Sequence, residues 1–225
     1  MQHMVFAYGS LIATPECSES VVDKIPAVLK GYRREFNKRS PGRGCPRSQA
    51  YAVFDDVPEG YLTGSWAFSL AVGTVQSAQD VIYGVALAYE PSSWAEVIRA
   101  TDRREGYDPR GERATLGYLR TEVSLSTDRS DVMATTYLSN PGGVFDLPES
   151  TSLDVRARIL INGTPRAGSS LSRDLKVRGI EYLEQLRQQL RFLGHIDALL
   201  EAQAEAVLAY DGPWVSRITA PSISI

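Results

Sequence analysis

The chain has 225 residues, enough for one large domain with a single core, and a formal net charge of −3 that gives no global attraction to nucleic acid or to an anionic membrane surface. Its 43% hydrophobic and 23% charged content is that of an ordinary globular protein, and no apolar run approaches the length of a membrane-spanning helix. Cys17 and Cys45 lack CxxC spacing, and Gln2-His3 is not the charged start of a secretory signal, so free thiols and a soluble cytoplasmic protein are expected.

Val5, Phe6, Ala7 and Tyr8 favour a pleated, half-buried surface, and residues 4–8 read as a buried strand that breaks at Gly9-Ser10. Such a turn is either a plain chain reversal or a place where a ligand approaches backbone N–H groups. Thr14 and Pro15 suit the cap and first turn of a short helix reaching Val22. A second strand is expected over roughly 27–37, followed by a basic loop from Asn37 to Arg47 with two glycines and two prolines. The basic run Lys30–Arg47 reads as a solvated face or a carboxylate-binding loop. It has too few interleaved aromatics, Tyr32 and Phe36, for a nucleic-acid surface.

Residues 49–72 alternate in short strands and turns, and Val81–Tyr89 forms a clearer strand. Pro91-Ser92-Ser93 opens a helix, with Ser93 and Glu96 in capping-box spacing, that ends near Arg103. Glu105 then falls at or just past a helix C-terminus, where the negative end of the dipole makes a carboxyl hold its proton more tightly. On spacing alone, Glu105 can equally be a member of the Asp102–Arg104 charge cluster. Leu116–Leu125 and Val132–Leu138 pair around the polar turn Thr127–Asp131, and Asn140-Pro141-Gly142-Gly143 breaks the chain. Residues 144–168 show no clear period. From about Leu171 to Tyr210 leucines recur at three and four residues, a helical core stripe that Gly194 can divide in two, and Pro213–Ile225 is either loose or an edge strand.

Only two histidines are present, His3 and His195, the latter expected within the long helical stretch. They supply neither a zinc ligand set nor a base for Ser10 as a nucleophile, and no phosphate-binding glycine motif occurs. Any enzyme here would work with carboxylates, hydroxyls and backbone, without metal or cofactor.

Taken in order, Tyr8-Gly9-Ser10-Leu11, Gly31-Tyr32-Arg33-Arg34-Glu35-Phe36, Gly84-Val85-Ala86, Asp102-Arg103-Arg104-Glu105-Gly106-Tyr107 and Thr136-Tyr137 resemble the gamma-glutamylcyclotransferase superfamily, most closely its ChaC-type branch. That resemblance implies an α+β fold. A small mixed β-barrel (1–140) would be flanked by helices, with helices 170–211 packed on it in one domain. It implies a monomer or homodimer acting on a small gamma-glutamyl substrate, with no metal, cofactor, nucleic acid or membrane partner. The reaction would be attack of the free α-amine on its own γ-amide carbonyl, giving 5-oxoproline and a free amine. Glu105 would be the acid/base, and the substrate-binding residues would be Tyr8, Gly9, Ser10, Leu11, Ile12, Tyr107 and Tyr137, although each tyrosine after the turn also suits a core position. Two stretches depart from the ChaC pattern. Asn37-Lys38-Arg39-Ser40-Pro41-Gly42-Arg43-Gly44 lacks the usual aspartate between serine and arginine, and Asp108–Arg113 is unusually polar. The leaving group could therefore be that of glutathione, another gamma-glutamyl peptide, a gamma-glutamyl amine or a protected biosynthetic intermediate. A non-catalytic ligand- or protein-binding member of the same fold is the alternative.

Overall fold

The structure is a computed structural model that describes residues 3–48, 50, 62–64, 66–165 and 177–210. Its centre is a barrel of five strands: β1 (Met4–Ala7), β2 (Val21–Pro46), and three that follow the short β3 (Leu62–Thr63), namely β4 (Trp66–Tyr89), β5 (Tyr118–Thr127) and β6 (Asp131–Ser139). The order β4-β1-β6-β5-β2 closes through a β2–β4 pairing, so these five strands form a continuous ring. The ring is mixed: β1 runs antiparallel to β4 (Phe6 opposite Ala86) but parallel to β6 (Val5 opposite Thr135). Two-residue β3 and β7 (Thr164–Pro165) extend its edges along β4 and β2.

The expected strand at 4–8 is β1, all of whose residues are buried. A side chain at Gly84 would drive into the Ala7 carbonyl and the Phe6 ring, so only glycine lets β4 lie this close to β1. The hairpin expected around Thr127–Asp131 is β5–β6, in unbroken register from Tyr118↔Ser139 to Ser126↔Asp131.

The largest differences from expectation lie in β2 and β4. The stretch 37–46, expected as a loop, is the second half of a 26-residue strand, and 66–89 is a single 24-residue strand rather than several short ones. Register shifts between Val21 and Asp23, Lys30 and Tyr32, Glu35 and Lys38, and Ser40 and Gly44 let the glycines and Pro41 be carried inside the ladder. No single helix spans Thr14–Val22. That segment contains a one-turn 3₁₀ helix at Ser18–Ser20, after another at Ser10–Ile12, and β2 begins at Val21. Residues 51–61 and the tail at 213–225 lie outside the described residues.

Four helices are described. The first, α1 (Trp94–Glu105), stops two residues later than expected, where Gly106 takes the left-handed conformation (φ 66°) and closes the last turn onto the Asp102 carbonyl. The second, α2 (Leu153–Asn162), was not visible in the sequence. Ser152 caps it by accepting from the Val155 N–H, and Ile159, Leu160 and Ile161 are all buried. The leucine stripe forms α3 (Gly179–Phe192) and α4 (Ala198–Ala209), separated after Gly194 (φ 82°). His195 lies in this link instead of a helix and stacks on Tyr83 with ring centroids 3.8 Å apart. One apolar cluster unites the barrel with α2, α3 and α4. Among the described residues, no helix is long and apolar enough to cross a membrane.

Candidate active site

Three pieces of chain meet at one end of the barrel. β1 ends at Ala7, and the next residues, Tyr8–Leu11, turn across its mouth. The last residue of α1, Glu105, arrives beside them, and the second half of β2 forms the facing wall. Together they enclose a cavity of about 160 Å³. Gly117 brings the start of β5 close: its N–H donates to the Gly106 carbonyl (2.8 Å), and any Cβ there would collide with the Glu105 carbonyl oxygen.

Glu105 is largely withdrawn from water, with 14% of its side chain exposed. Burial raises its pKa from the ordinary carboxylate value, while the positive charges of Lys38 and Arg104 pull the other way. Arg104 approaches at 3.7 Å, but its guanidinium is engaged elsewhere, by Glu16 (2.9 Å), the Thr14 carbonyl (2.6 Å) and the Ser10 hydroxyl (3.0 Å). It thus ties the turn after β1 to the end of α1. Among the described residues lining the cavity, Glu105 is the only carboxylate, against the cations Lys38, Arg39, Arg43, Arg103 and Arg104.

Tyrosines make much of the remaining wall. Tyr8 donates to the Tyr137 carbonyl (2.5 Å), and Tyr137 donates to Asp102 (2.8 Å), which Arg120 holds from its other oxygen (2.7 Å). Tyr118 donates to the Val72 carbonyl (2.5 Å). Burial first, then the Glu105 charge, raises the Tyr8 pKa, which keeps it a protonated donor.

Of the residues expected to bind substrate, Tyr8, Gly9, Ser10, Leu11 and Tyr137 line the cavity with Glu105. Ile12 and Tyr107 do not. Ile12 points to a separate groove beside α3, with Lys24 and Val85, because the 3₁₀ turn at Ser10–Ile12 rotates it away. Tyr107 packs its ring under the Arg120 guanidinium at 4.9 Å. Residues the sequence reading did not single out also stand on the wall: Lys38 and Arg43 from β2, Tyr118 from β5 and Tyr182 from α3. Lys38 and Arg43 were within the basic run, but a run read as a loop gives no alternation from which to assign inward positions. Among the described residues, no group of three or more histidine, cysteine or acidic side chains could hold a metal.

A closed mixed barrel backed by helices is a gamma-glutamylcyclotransferase-type fold. It matches a glutathione-specific gamma-glutamyl cyclotransferase from yeast at 18% identity with a TM-score of 0.63, over 92% of this chain and 96% of that one. A second structure of a yeast glutathione-specific cyclotransferase matches at 19% identity and a TM-score of 0.60, over 92% and 98%. The model of the ChaC-like protein family matches residues 3–210, and the chain belongs to that family. No curated protein matches it.

Proposed function

We propose that the protein is a gamma-glutamylcyclotransferase that needs no cofactor and uses Glu105 as its acid/base. The observation that carries this reading is Glu105 itself: the one carboxyl among the described residues of a cation-rich cavity wall, with a raised pKa, beside the Tyr8–Leu11 turn. An acid so placed costs stability in a structure that does not use it.

The substrate's α-amine enters mostly as an ammonium. Glu105 takes one proton, and the freed amine attacks the γ-carbonyl carbon of the same residue, forming the ring C–N bond. The electron pair of the carbonyl moves to oxygen, and N–H groups of the Gly9–Leu11 turn receive the oxyanion. Protonated Glu105 then delivers its proton to the departing nitrogen. The original amide C–N bond breaks, the ring nitrogen gives its second proton to the carboxylate that Glu105 has become again, and 5-oxoproline and a free amine remain. Such general acid–base assistance is worth on the order of 10²–10⁴-fold. Attack is intramolecular, so the tyrosine-lined wall has only to hold the chain bent into a five-membered ring. The yeast neighbours acting on glutathione make it the first substrate to try.

The test is mass-spectrometric detection of 5-oxoproline from glutathione, a gamma-glutamyl dipeptide and a gamma-glutamyl amine, without added metal, beside Glu105→Gln. Release that falls at least about 100-fold in a folded Glu105→Gln protein is expected. Undiminished release by that variant would remove Glu105 from the mechanism. A folded wild-type protein that turns over none of the three would favour the ligand-binding alternative.

A further inference from the structure

Lys38 follows the register shift between Glu35 and Lys38 in β2, the kind of irregularity that re-aims a side chain. Its ammonium lies 3.2 Å from the centre of the Tyr118 ring, and among the described residues it makes no hydrogen bond or ion pair. A Cβ on Gly117, the residue packed on the Glu105 backbone carbonyl, would sit 3.1 Å from the Lys38 nitrogen, and the Lys38 and Glu105 side chains line the same cavity from two elements. Each is the foremost charge acting on the other. Behind them Arg43 is 2% exposed, with its guanidinium 4.3 Å over the Tyr182 ring. Its Nε has no hydrogen-bond partner among the described residues, while Nη2 donates to the Leu70 carbonyl at 3.4 Å.

A buried lysine and a buried arginine without carboxylate partners are costly unless something anionic completes them. Glu105 cannot satisfy both. In a gamma-glutamyl compound the α-amine and the α-carboxylate share one carbon, so a group that receives the amine must have the carboxylate's partner next to it. Arg104 is also beside Glu105, but Glu16, the Thr14 carbonyl and the Ser10 hydroxyl engage it, which leaves Lys38 as the cavity cation available to the carboxylate.

On the cyclotransferase reading above, we propose that Lys38 and Glu105 form a paired subsite for the zwitterionic head of the substrate. The Lys38 ammonium takes the α-carboxylate, the Glu105 carboxylate takes the α-amine, and Arg43 adds positive field from behind. The site selects a free α-amino-acid head, whatever amine is attached at the γ-carbonyl. Binding the carboxylate also fixes which face of the α-carbon presents its amine to the γ-carbonyl, so Lys38 acts on orientation as well as affinity.

The experiment compares L-glutamate with L-isoglutamine, which differs only in carrying an amide in place of the α-carboxylate. Neither has a leaving amine, so binding measured by NMR titration is read apart from turnover. Wild-type protein is expected to favour L-glutamate by about tenfold or more, as for one charge-assisted pair. Lys38→Met should bring the two ligands to within about twofold, and Lys38→Arg should keep most of the preference. Circular dichroism of both variants checks folding. A full preference retained in Lys38→Met, or none in the wild-type protein, overturns the subsite. 5-Oxoproline release from a gamma-glutamyl dipeptide is measured in parallel. Release with the preference intact in Lys38→Met sinks the subsite and leaves the cyclotransferase standing. A Lys38-dependent preference without release supports the head subsite and sinks the activity.

Discussion

The Tyr8–Leu11 turn is held from behind by a residue of the barrel wall that never reaches the cavity. Arg34 is 1% exposed, and its guanidinium is divided three ways: Nε donates to the Tyr8 carbonyl (2.9 Å), Nη2 to the Tyr83 carbonyl (2.5 Å), and Nη1 pairs with Asp197. Asp197 meanwhile caps α4 with its other oxygen, accepting from the Leu199 and Leu200 N–H groups at 3.1 and 3.2 Å. Asp197→Asn separates the two roles. Asparagine caps a helix about as well as aspartate, so the cap survives, while the buried guanidinium loses its counter-charge. Breaking a buried pair by removing one partner costs roughly 3–5 kcal/mol. With the Asp197 side chain still 14% exposed, the lower end applies, about 3 kcal/mol. For a chain of this size about 1 kcal/mol moves Tm by roughly 2–4 °C, so Asp197→Asn should melt about 6–12 °C below wild type. Asp197→Ala should lose about 1 kcal/mol more, because the cap goes too. Differential scanning calorimetry reads both. An Asp197→Asn protein melting within about 2 °C of wild type would refute the clamp, since a cap alone would then explain the aspartate.

Glu105 also sets a pH dependence. Its pKa is raised by burial, and the proposed reaction starts from its base form, so kcat/KM for 5-oxoproline release should fall on the acid side at a pH above the ordinary carboxylate range. Lys38 favours the charged form of Glu105, so Lys38→Met should move that acid limb further up, and a limb unmoved or shifted down would contradict the pairing. Stability carries the opposite signature at Lys38, whose pKa is lowered by burial from 10.5 to about 7. Below about pH 7 both folded and unfolded chains bind the proton, and the folded state bears the full cost of the ammonium. Between about 7 and 10.5 the unfolded chain binds more protons, so stability rises with pH across that window. Lys38→Met should accordingly be more stable than wild type by about 1–3 kcal/mol at pH 6, with the advantage shrinking toward pH 9. Urea melts at the two pH values give the difference, and a gap that stays constant would count against a strained lysine.

The parts of this fold that declared themselves in sequence are those with an uninterrupted period. The run before Gly9 is apolar to its end, the β5–β6 hairpin kept its pairing, and α1 and the α3–α4 pair kept their helical spacing of apolar residues. β2 did not, because each register shift resets which side faces inward, and Pro41, Gly42 and Gly44 imitate a loop while sitting in a ladder. α2 hid for a different reason. Arg156, Ala157, Ile159, Leu160, Ile161 and Asn162 are all buried, and a helix enclosed on most sides has no polar stripe to mark its period. In the cavity, Glu105 and the Tyr8–Leu11 turn were legible as motifs. Lys38 and Arg43 depend on where a bulged strand turns its side chains, and Ile12 was misplaced by one tight turn of 3₁₀ helix.

The placement of β1 governs the order in which the protein can assemble. Its four residues are made before their partners, Val85–Ala88 and Thr135, so β1 has no neighbour until β4 is complete and lacks its second until β6 follows. At about 5–20 residues per second, an apolar tetrapeptide waits several seconds or more with nothing to pair with. The barrel cannot close until β6 arrives, and only then does the Tyr8 hydroxyl, on the turn that hangs from β1, find its acceptor, the Tyr137 carbonyl. A chain interrupted before Ser139 therefore holds Glu105 but no closed barrel around it, and β1, made long before β6, gains its second neighbour only at the end of that sequence.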